Sequence, residues 1–279
     1  MQQQKYLAPA KINLCLHVNG KRSDGYHELS MVMQSVSLYD ELEVAIVAKP
    51  GVRFHCGTAL GSHDDNLVVR AARAMLAYDG LGRGVDLVLH KKIPVAAGLG
   101  GGSSDAATTM MALNQLLELD LDPKVMHREA LALGADVPFF LGQSAAWACG
   151  VGDQLSPIEI VPQFWIVLVN PGVGVSTAQV YRQLTSVDYS NCSMAKIIST
   201  QDEFVALLHN DLERVAKGLC REIQTLKDVF IRLGADGVLM AGSGATVFGV
   251  FFDHDQAQRV ARVFVEKYGH WSQVVTPLT

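Results

Sequence analysis

The chain has 279 residues, enough for one large domain or two medium ones, and 49% of them are hydrophobic, enough for a sizeable core. Its formal net charge of -5, without a block of basic residues, speaks against a nucleic-acid partner. No apolar run reaches the ~18 residues of a membrane span, so neither nucleic acid nor membrane is expected as a partner.

Taken in order, Ala10 to Val18 reads as a strand, with Ile12, Leu14 and Leu16 on one face and Lys11, Asn13 and Cys15 on the other. A polar turn follows at Gly20 to Gly25. Tyr26 to Leu38 is extended in part, Leu42 to Ala48 alternates as a strand, and Pro50-Gly51 is a turn. Asp64-Asp65-Asn66 precedes a helix with the apolar stripe Leu67, Val68, Ala71, Ala72, Met75 and Leu76. Val85 to His90 is a strand that leads into a glycine-rich stretch and a helix. Pro123 opens a further helix that ends near Gly134, and Ser144 to Cys149 is a strand. Beyond a break at Gly150 to Asp153, Trp165 to Val169 is a strand. Ser176-Thr177 caps a helix carrying Tyr181, and Tyr189 to Ser193 is loop. Helices are expected around 195–208 and 211–231, strands at Gly237 to Met240 and Thr246 to Phe252, a helix at Asp255 to Tyr268 and a last strand at Trp271 to Thr276. The alternation predicts an α+β or α/β chain in two domains, residues 1–155 and 156–279.

Five scattered cysteines (Cys15, Cys56, Cys149, Cys192, Cys220) without a C-x-x-C give a zinc site little support and fit free thiols in a reducing compartment. The N-terminal MQQQKYLAPAKINL has neither a secretory nor a transit pattern, so a cytoplasmic location is expected.

The stretch Pro94 to Thr108, PVAAGLGGGSSDAAT, carries the strongest signal. Gly98, Gly100, Gly101 and Gly102 precede Ser103, Ser104 and Asp105 at a helix start. Glycine admits positive φ and close approach of a ligand to the backbone. The first helix amides lack internal partners and the dipole favours an anion, so a phosphate chain is the natural guest. The bland alternative is a flexible loop with an ordinary side-chain cap. A Walker A motif is absent, because the only Gly-Lys, Gly20-Lys21, is followed by Arg22. A dinucleotide fingerprint lacks its third glycine, where Ser103 stands.

Phosphoryl transfer also needs a cation over the developing charge and an aligned acceptor hydroxyl. Lys11, beside Asn13 in a strand pattern, is a candidate cation. Asp136 is an acid among Val137, Pro138, Phe139 and Phe140. If the two met, each would hold the other ionised, and Asp136 could orient or deprotonate a hydroxyl. Tyr26-His27 offers stacking and hydrogen bonding to a ring such as a nucleobase. Gly242-Ser243-Gly244 is either a plain hairpin turn or a backbone surface near the first loop or the substrate.

Together PAKINL at Pro9 to Leu14, PVAAGLGGGSSDAA at Pro94 to Ala107 and AGSGATVF at Ala241 to Phe248 resemble the GHMP kinase superfamily. RSDGYHEL at Arg22 to Leu29, DDNLVVRAA at Asp64 to Ala72 and GADVPFFL at Gly134 to Leu141 resemble its branch acting on a cytidine-linked methylerythritol. The resemblance implies a two-domain α+β fold, with an N-terminal half like the second domain of ribosomal protein S5, a ferredoxin-like C-terminal half and a cleft between them. It implies transfer of the ATP γ-phosphoryl group to the 2-hydroxyl of that small-molecule substrate, in non-mevalonate isoprenoid precursor biosynthesis, by a monomer or weak homodimer. Carried onto this chain, Lys11 and Asp136 match the catalytic pair. Asn66, Pro94, Gly98, Leu99, Gly100, Gly101, Gly102, Ser103 and Ser104 match the ATP site. Asn13, Tyr26, His27, Tyr181, Gly242 and Ser243 match the substrate side. ATP implies Mg2+, for which the sequence shows no dedicated acidic ligand; Ser104 is the candidate. Asp105 suits the helix dipole, but suits a triphosphate neighbour only if it faces away.

Overall fold

The structure is a computed structural model that describes residues 3–192 and 196–279. Two compact units share the chain and interleave along it. The first comprises the residues up to Ala10, then Leu38–Ile93 and Gly100–Gln143; the second comprises Lys11–Ser37, Pro94–Leu99 and the described residues from Ser144 to Thr279. Two long strands, β1 (Gln4–Lys21) and β2 (His27–Val47), contribute residues to both.

In the first unit, β3 (Gly51–Cys56) follows β2. Helix α1 (Leu67–Leu76) starts at Asn66, whose Oδ1 accepts from the Val68 amide at 2.9 Å. A cap of this kind is worth about 1 kcal/mol. Strand β4 (Gly84–His90) pairs antiparallel with β2, from Glu41 opposite His90 to Val47 opposite Gly84, and parallel with β3. Helix α2 (Gly101–Leu116) is buried on nearly every side, through Ser104 to Met110, Ala112 and Leu113. A helix so enclosed is central to its core, and α1 packs against it. Helix α3 (Pro123–Leu133) begins at its Asp122 cap and ends at Gly134.

The second unit holds β5 (Ala145–Gly150), antiparallel to Leu29–Gln34 of β2, and β6 (Gln154–Pro157), antiparallel to β5. After the short β7 (Glu159–Ile160) come β8 (Trp165–Asn170) and α4 (Thr177–Gln183), which is capped by Ser176. Then follow β9 (Ile197–Ile198), α5 (Gln201–Leu207), β10 (His209–Asn210), α6 (Glu213–Leu219) and α7 (Glu222–Arg232). The chain finishes with β11 (Gly237–Met240), β12 (Val247–Phe251), α8 (His254–Tyr268) and β13 (Trp271–Val275). Antiparallel pairing in the order β11-β12-β8-β13, with α7 against β11 and β12 and α8 against β8 and β13, is the ferredoxin-like βαββαβ arrangement. The ring pairs Phe164–Phe204 at 4.3 Å and Phe230–Phe264 at 4.5 Å lie in its core.

The expected elements differ from the structure in several places, among them the short strand β9 within the helix expected around 195–208 and the unexpected strands β6, β7 and β10. Both faces of the first strand are buried, so Lys11, Asn13 and Cys15 are as enclosed as Ile12 and Leu14. The two segments expected at Tyr26–Leu38 and Leu42–Ala48 are one strand, because the polar Asp40 between them is buried and fully engaged. Strand β3 continues from the expected Pro50-Gly51 turn over residues 52–56, for which no element was expected. The helix expected over 211–231 divides at Cys220, which leaves the helical region with φ −141 and ψ 101. Ser193 and residue 195, the ends of the expected loop and helix, lie outside the described residues.

One buried ionic cluster ties the first unit together. Lys91 Nζ bonds Asp40 Oδ2 at 2.5 Å and Asp105 Oδ2 at 2.8 Å, and all three side chains are at most 6% exposed. Asp40 Oδ1 accepts from the amides of Lys92 (2.6 Å) and Ile93 (2.9 Å). Burial works against the Lys91 ammonium, yet the two carboxylates outweigh it and hold its pKa above the ordinary lysine value. One cation cannot neutralise two carboxylates, and burial together with Asp40 pushes Asp105 from 3.8 up to about 7. A carboxyl whose folded pKa is raised stabilises the fold when protonated, and that contribution is lost as pH rises from the unfolded value through the folded one. Asp105→Asn keeps the shape and removes the titration. Its Tm is expected to gain on wild type between pH ~4 and ~7 and to hold that gain above. Thermal unfolding across this range checks it; a Tm difference independent of pH would remove Asp105 as the titrating group.

Candidate active site

The glycine-rich stretch turns through three left-handed residues: Ala96 (φ 53), Gly98 (φ 78) and Gly100 (φ 71). Ala96 carries a Cβ there, at a cost of about 1–2 kcal/mol. Gly100 is the N-cap of α2, and no side chain caps this helix. The first-turn amides are therefore not claimed by Ser103, Ser104 or Asp105, contrary to the bland alternative.

A second backbone supports the loop from behind. A Cβ on Gly98 would run into the Ala241 carbonyl oxygen, and one on Gly242 would meet the Gly98 oxygen at 2.8 Å. Only paired glycines allow two chains this close. Asn210 Nδ2 donates to the carbonyls of Met240 (2.9 Å) and Gly242 (2.8 Å). Ser243 Oγ bonds Thr177 Oγ1 at 2.7 Å. Gly242 and Ser243 are both buried in this support. Leu99 is buried as well, and its carbonyl accepts the Lys11 amide at 2.9 Å, while Pro94 is half-buried.

At the start of α2, Gly101 and Ser103 are half-buried, Gly102 is exposed and Ser104 is fully buried. The Ser104 and Thr108 hydroxyls are buried one turn apart and neither has a hydrogen-bond partner; Asp105 Oδ1 is in the same position. Asp105 turns its other oxygen onto Lys91, whose ammonium pairs with its charge.

In the second unit Lys11 and Asn13 point the same way, as alternation requires. Lys11, 5% exposed, donates from Nζ to Asn13 Oδ1 at 2.7 Å, and Asn13 Nδ2 lies 3.2 Å from Met31 Sδ. In the first unit Asp136 is half-buried beside the buried turn Pro138–Leu141. Asn66, besides capping α1, borders an open cavity of about 270 Å3 that Phe54, Thr58, Leu60 and His63 also line.

His27 is 8% exposed, and its ring meets Tyr181 at 5.2 Å and the edge of Tyr189 at 6.1 Å. Burial, helped by Lys21, lowers its pKa below the usual imidazole value and keeps it neutral. Tyr26, in contrast, projects from the Arg22–Tyr26 turn and is 65% exposed. Tyr189, Lys91 and Asp40 are the residues that sequence patterns did not mark; each gains its meaning only from tertiary neighbours.

Among the described residues, two groups gather enough imidazole and carboxylate atoms for a cation: His17, His209 and Asp211, and Glu41, Glu43 and His90. In the first, His209 and Asp211 bond each other at 2.6 Å, and the Ser190 hydroxyl joins Asp211 to His17. In the second, both glutamates hold Lys5.

Comparison with known proteins fits these features. The family profile described as GHMP kinases N terminal domain matches residues 66–152, and that described as GHMP kinases C terminal matches residues 194–270. A 4-diphosphocytidyl-2-C-methyl-D-erythritol kinase of Syntrophotalea carbinolica is 49% identical over 99% of both chains. The chain belongs to the GHMP kinases. A Geobacter sp. relative of this GHMP kinase, with the same name, is 47% identical over 97% of each chain. A crystal structure of a 4-(cytidine 5'-diphospho)-2C-methyl-D-erythritol kinase superimposes with a TM-score of 0.83 at 37% identity, covering 99% of this chain and 100% of the other. A homoserine kinase from Cytophaga hutchinsonii, at 18% identity and a TM-score of 0.76 over 100% and 95%, shares the fold. The α+β fold of two GHMP domains is thus the one the sequence implied.

The support behind the loop yields a test. Gly98→Ala places a Cβ against Ala241 at positive φ. It is expected to lose at least ~1–2 kcal/mol of stability from the backbone conformation alone and to raise the KM for ATP more than that for the acceptor. Urea unfolding and steady-state kinetics measure both; a wild-type KM for ATP would show that this approach does not shape the loop.

Proposed function

We propose that this GHMP kinase transfers the γ-phosphoryl group of ATP to the 2-hydroxyl of 4-diphosphocytidyl-2-C-methyl-D-erythritol, a step of non-mevalonate isoprenoid precursor synthesis. The observation that carries phosphoryl transfer is the glycine loop opening α2 without a side-chain cap. The acceptor rests on the names of relatives 42–49% identical over at least 91% of this chain, and on the aromatic surroundings of neutral His27.

Each residue then has a role. Gly98 to Gly102 offer amides and bare backbone to the phosphates, with Ser103 beside them and Leu99 and Pro94 shaping the entry. Asn66 borders the cavity suited to the adenine. Lys11 supplies the cation for charge on the transferred group, and Asn13 fixes its Nζ. Asp136 orients the acceptor hydroxyl or takes its proton. A loose transition state needs little help from a base, and a tertiary hydroxyl needs alignment, so positioning is the larger share. His27 hydrogen-bonds the cytosine edge, with Tyr26 and Tyr181 as its aromatic neighbours. Gly242 and Ser243 support the loop side of the substrate. Mg2+, when bound, neutralises phosphate charge. The buried, unpartnered Ser104 hydroxyl is the side chain fitted to it, since Asp105 is committed to Lys91.

The two family profiles fall on either side of residue 155, which supports the division into an ATP-binding N-terminal and a C-terminal domain. A cytoplasmic location is supported by the free thiols of Cys15, Cys56, Cys149 and Cys220. No helix among the described residues is long and apolar enough to cross a membrane.

Two experiments test the reading. ADP release with Mg-ATP is expected with the cytidyl substrate and not with mevalonate, homoserine or galactose; release with one of those alone would transfer the acceptor pocket to another substrate. Asp136→Asn is expected to cut kcat at least ~10²-fold with little change in the KM for ATP. Near-normal turnover in that variant would take Asp136 out of the reaction.

A further inference from the structure

Tyr189 stands edge-on to His27, at a ring separation of 6.1 Å and an interplanar angle of 75°, whereas Tyr181 lies tilted on it at 5.2 Å and 34°. The imidazole plane is thus bounded by two rings in different orientations. Edge-to-face contact at this distance is an attractive aromatic geometry. It also opposes rotation of the imidazole about its Cβ–Cγ bond, which would put ring carbons where the nitrogens stand.

The backbone on both sides of Tyr189 is anchored. Before it, the Asp188 carboxylate accepts from the Thr185 amide (2.9 Å) and hydroxyl (3.0 Å), and Arg214 forks onto it. The Arg214 hydrogen bonds hold Asp188 at a pKa of about 2. After it, the Ser190 amide donates to Val18 O at 3.1 Å, and the Ser190 hydroxyl donates to Asp211 Oδ2 at 2.7 Å. His17 Nδ1 lies 2.7 Å from that hydroxyl, and Asp211 also receives the Val18 amide. With its hydrogen spent on Asp211, the hydroxyl accepts from His17 Nδ1–H. The His17 ring is stacked at 4.4 Å on His209, itself bonded to Asp211. A half-buried aromatic fixed at both neighbouring residues is a rigid wall.

We propose that Tyr189 is a positioning residue for nucleobase recognition: by standing edge-on to His27 it fixes the plane of the imidazole that reads the pyrimidine edge. Cytosine and uracil differ on that edge by an amino donor against a carbonyl acceptor; a fixed imidazole keeps one nitrogen, in the tautomer matched to cytosine, on that edge, whereas a rotated one presents a C–H that reads neither. This rests on the assignment of His27 to the cytosine. Tyr189 acts through His27, and its ring, not its hydroxyl, does the positioning.

The test compares wild type with Tyr189→Phe, Tyr189→Leu and Ser190→Ala, each checked for a wild-type unfolding transition. It reads steady-state kinetics with the cytidyl substrate and competitive inhibition by cytidine diphosphate and uridine diphosphate. Tyr189→Phe keeps the edge and is expected to match wild type. Tyr189→Leu fills the space without it; the KM for the cytidyl substrate is expected to rise about tenfold, the scale of one aromatic pair, and the preference for cytidine over uridine diphosphate to fall by a similar factor. The KM for ATP and kcat are expected to stay within about twofold. Ser190→Ala is expected to move the same two quantities less. A Tyr189→Leu enzyme with wild-type KM and wild-type preference overturns the proposal while leaving the cytosine assignment intact. A wild-type enzyme with no preference for cytidine diphosphate overturns the assignment, and the proposal falls with it.

Discussion

The contact on which the glycine-rich loop depends is the approach of Gly98 to Ala241 and Gly242. A phosphate-binding backbone must leave its amides bare on one side, so side chains cannot hold it there. The support has to come from behind, and in the second unit it comes from another stretch of main chain. That demand explains residues far from any ligand. Asn210 satisfies the Met240 and Gly242 carbonyls that a tight hairpin loop would leave orphaned, and the Lys11 amide takes up the Leu99 carbonyl. The same hydrogen bond sets the strand position of Lys11, so the loop and Lys11 share one register.

In the first unit the matching device is ionic. Lys91, Asp40 and Asp105 replace a hydrophobic contact at the start of α2 with a cluster that is costly to break. Removing the cation alone would leave two buried carboxylates, an imbalance of about 3–5 kcal/mol by analogy with broken buried pairs. The cluster also engages Asp105, the one acid that the glycine-rich sequence places at the start of α2. Asp105 therefore contributes to the fold through Lys91.

Much of this was legible wherever the chemistry was local. Asn66, Asp122, Ser176 and Gly134 mark helix ends through interactions within a few residues, and the glycine run announces its own backbone geometry. Lys11 and Asn13 share a face because strands alternate. What could not be read depends on distant partners. Asp40 looks like a strand break until Lys91, 51 positions away, is placed against it. Tyr189 carries no pattern, and its relation to His27 arises only when β1 and the residues before α6 pin the segment between them. The likeness to GHMP kinases supplied functional roles, and the structure supplied the hydrogen bonds that make sense of them.

The interleaving of the two units has a consequence for how this architecture can change. The chain passes from one unit to the other five times, after Ala10, Ser37, Ile93, Leu99 and Gln143. Neither unit can be lifted out as a single gene segment, so recombination that swaps whole modules is closed to this fold. The fourth crossing, after Leu99, falls inside the glycine loop itself, so that exchanging either unit alone would cut that loop in two.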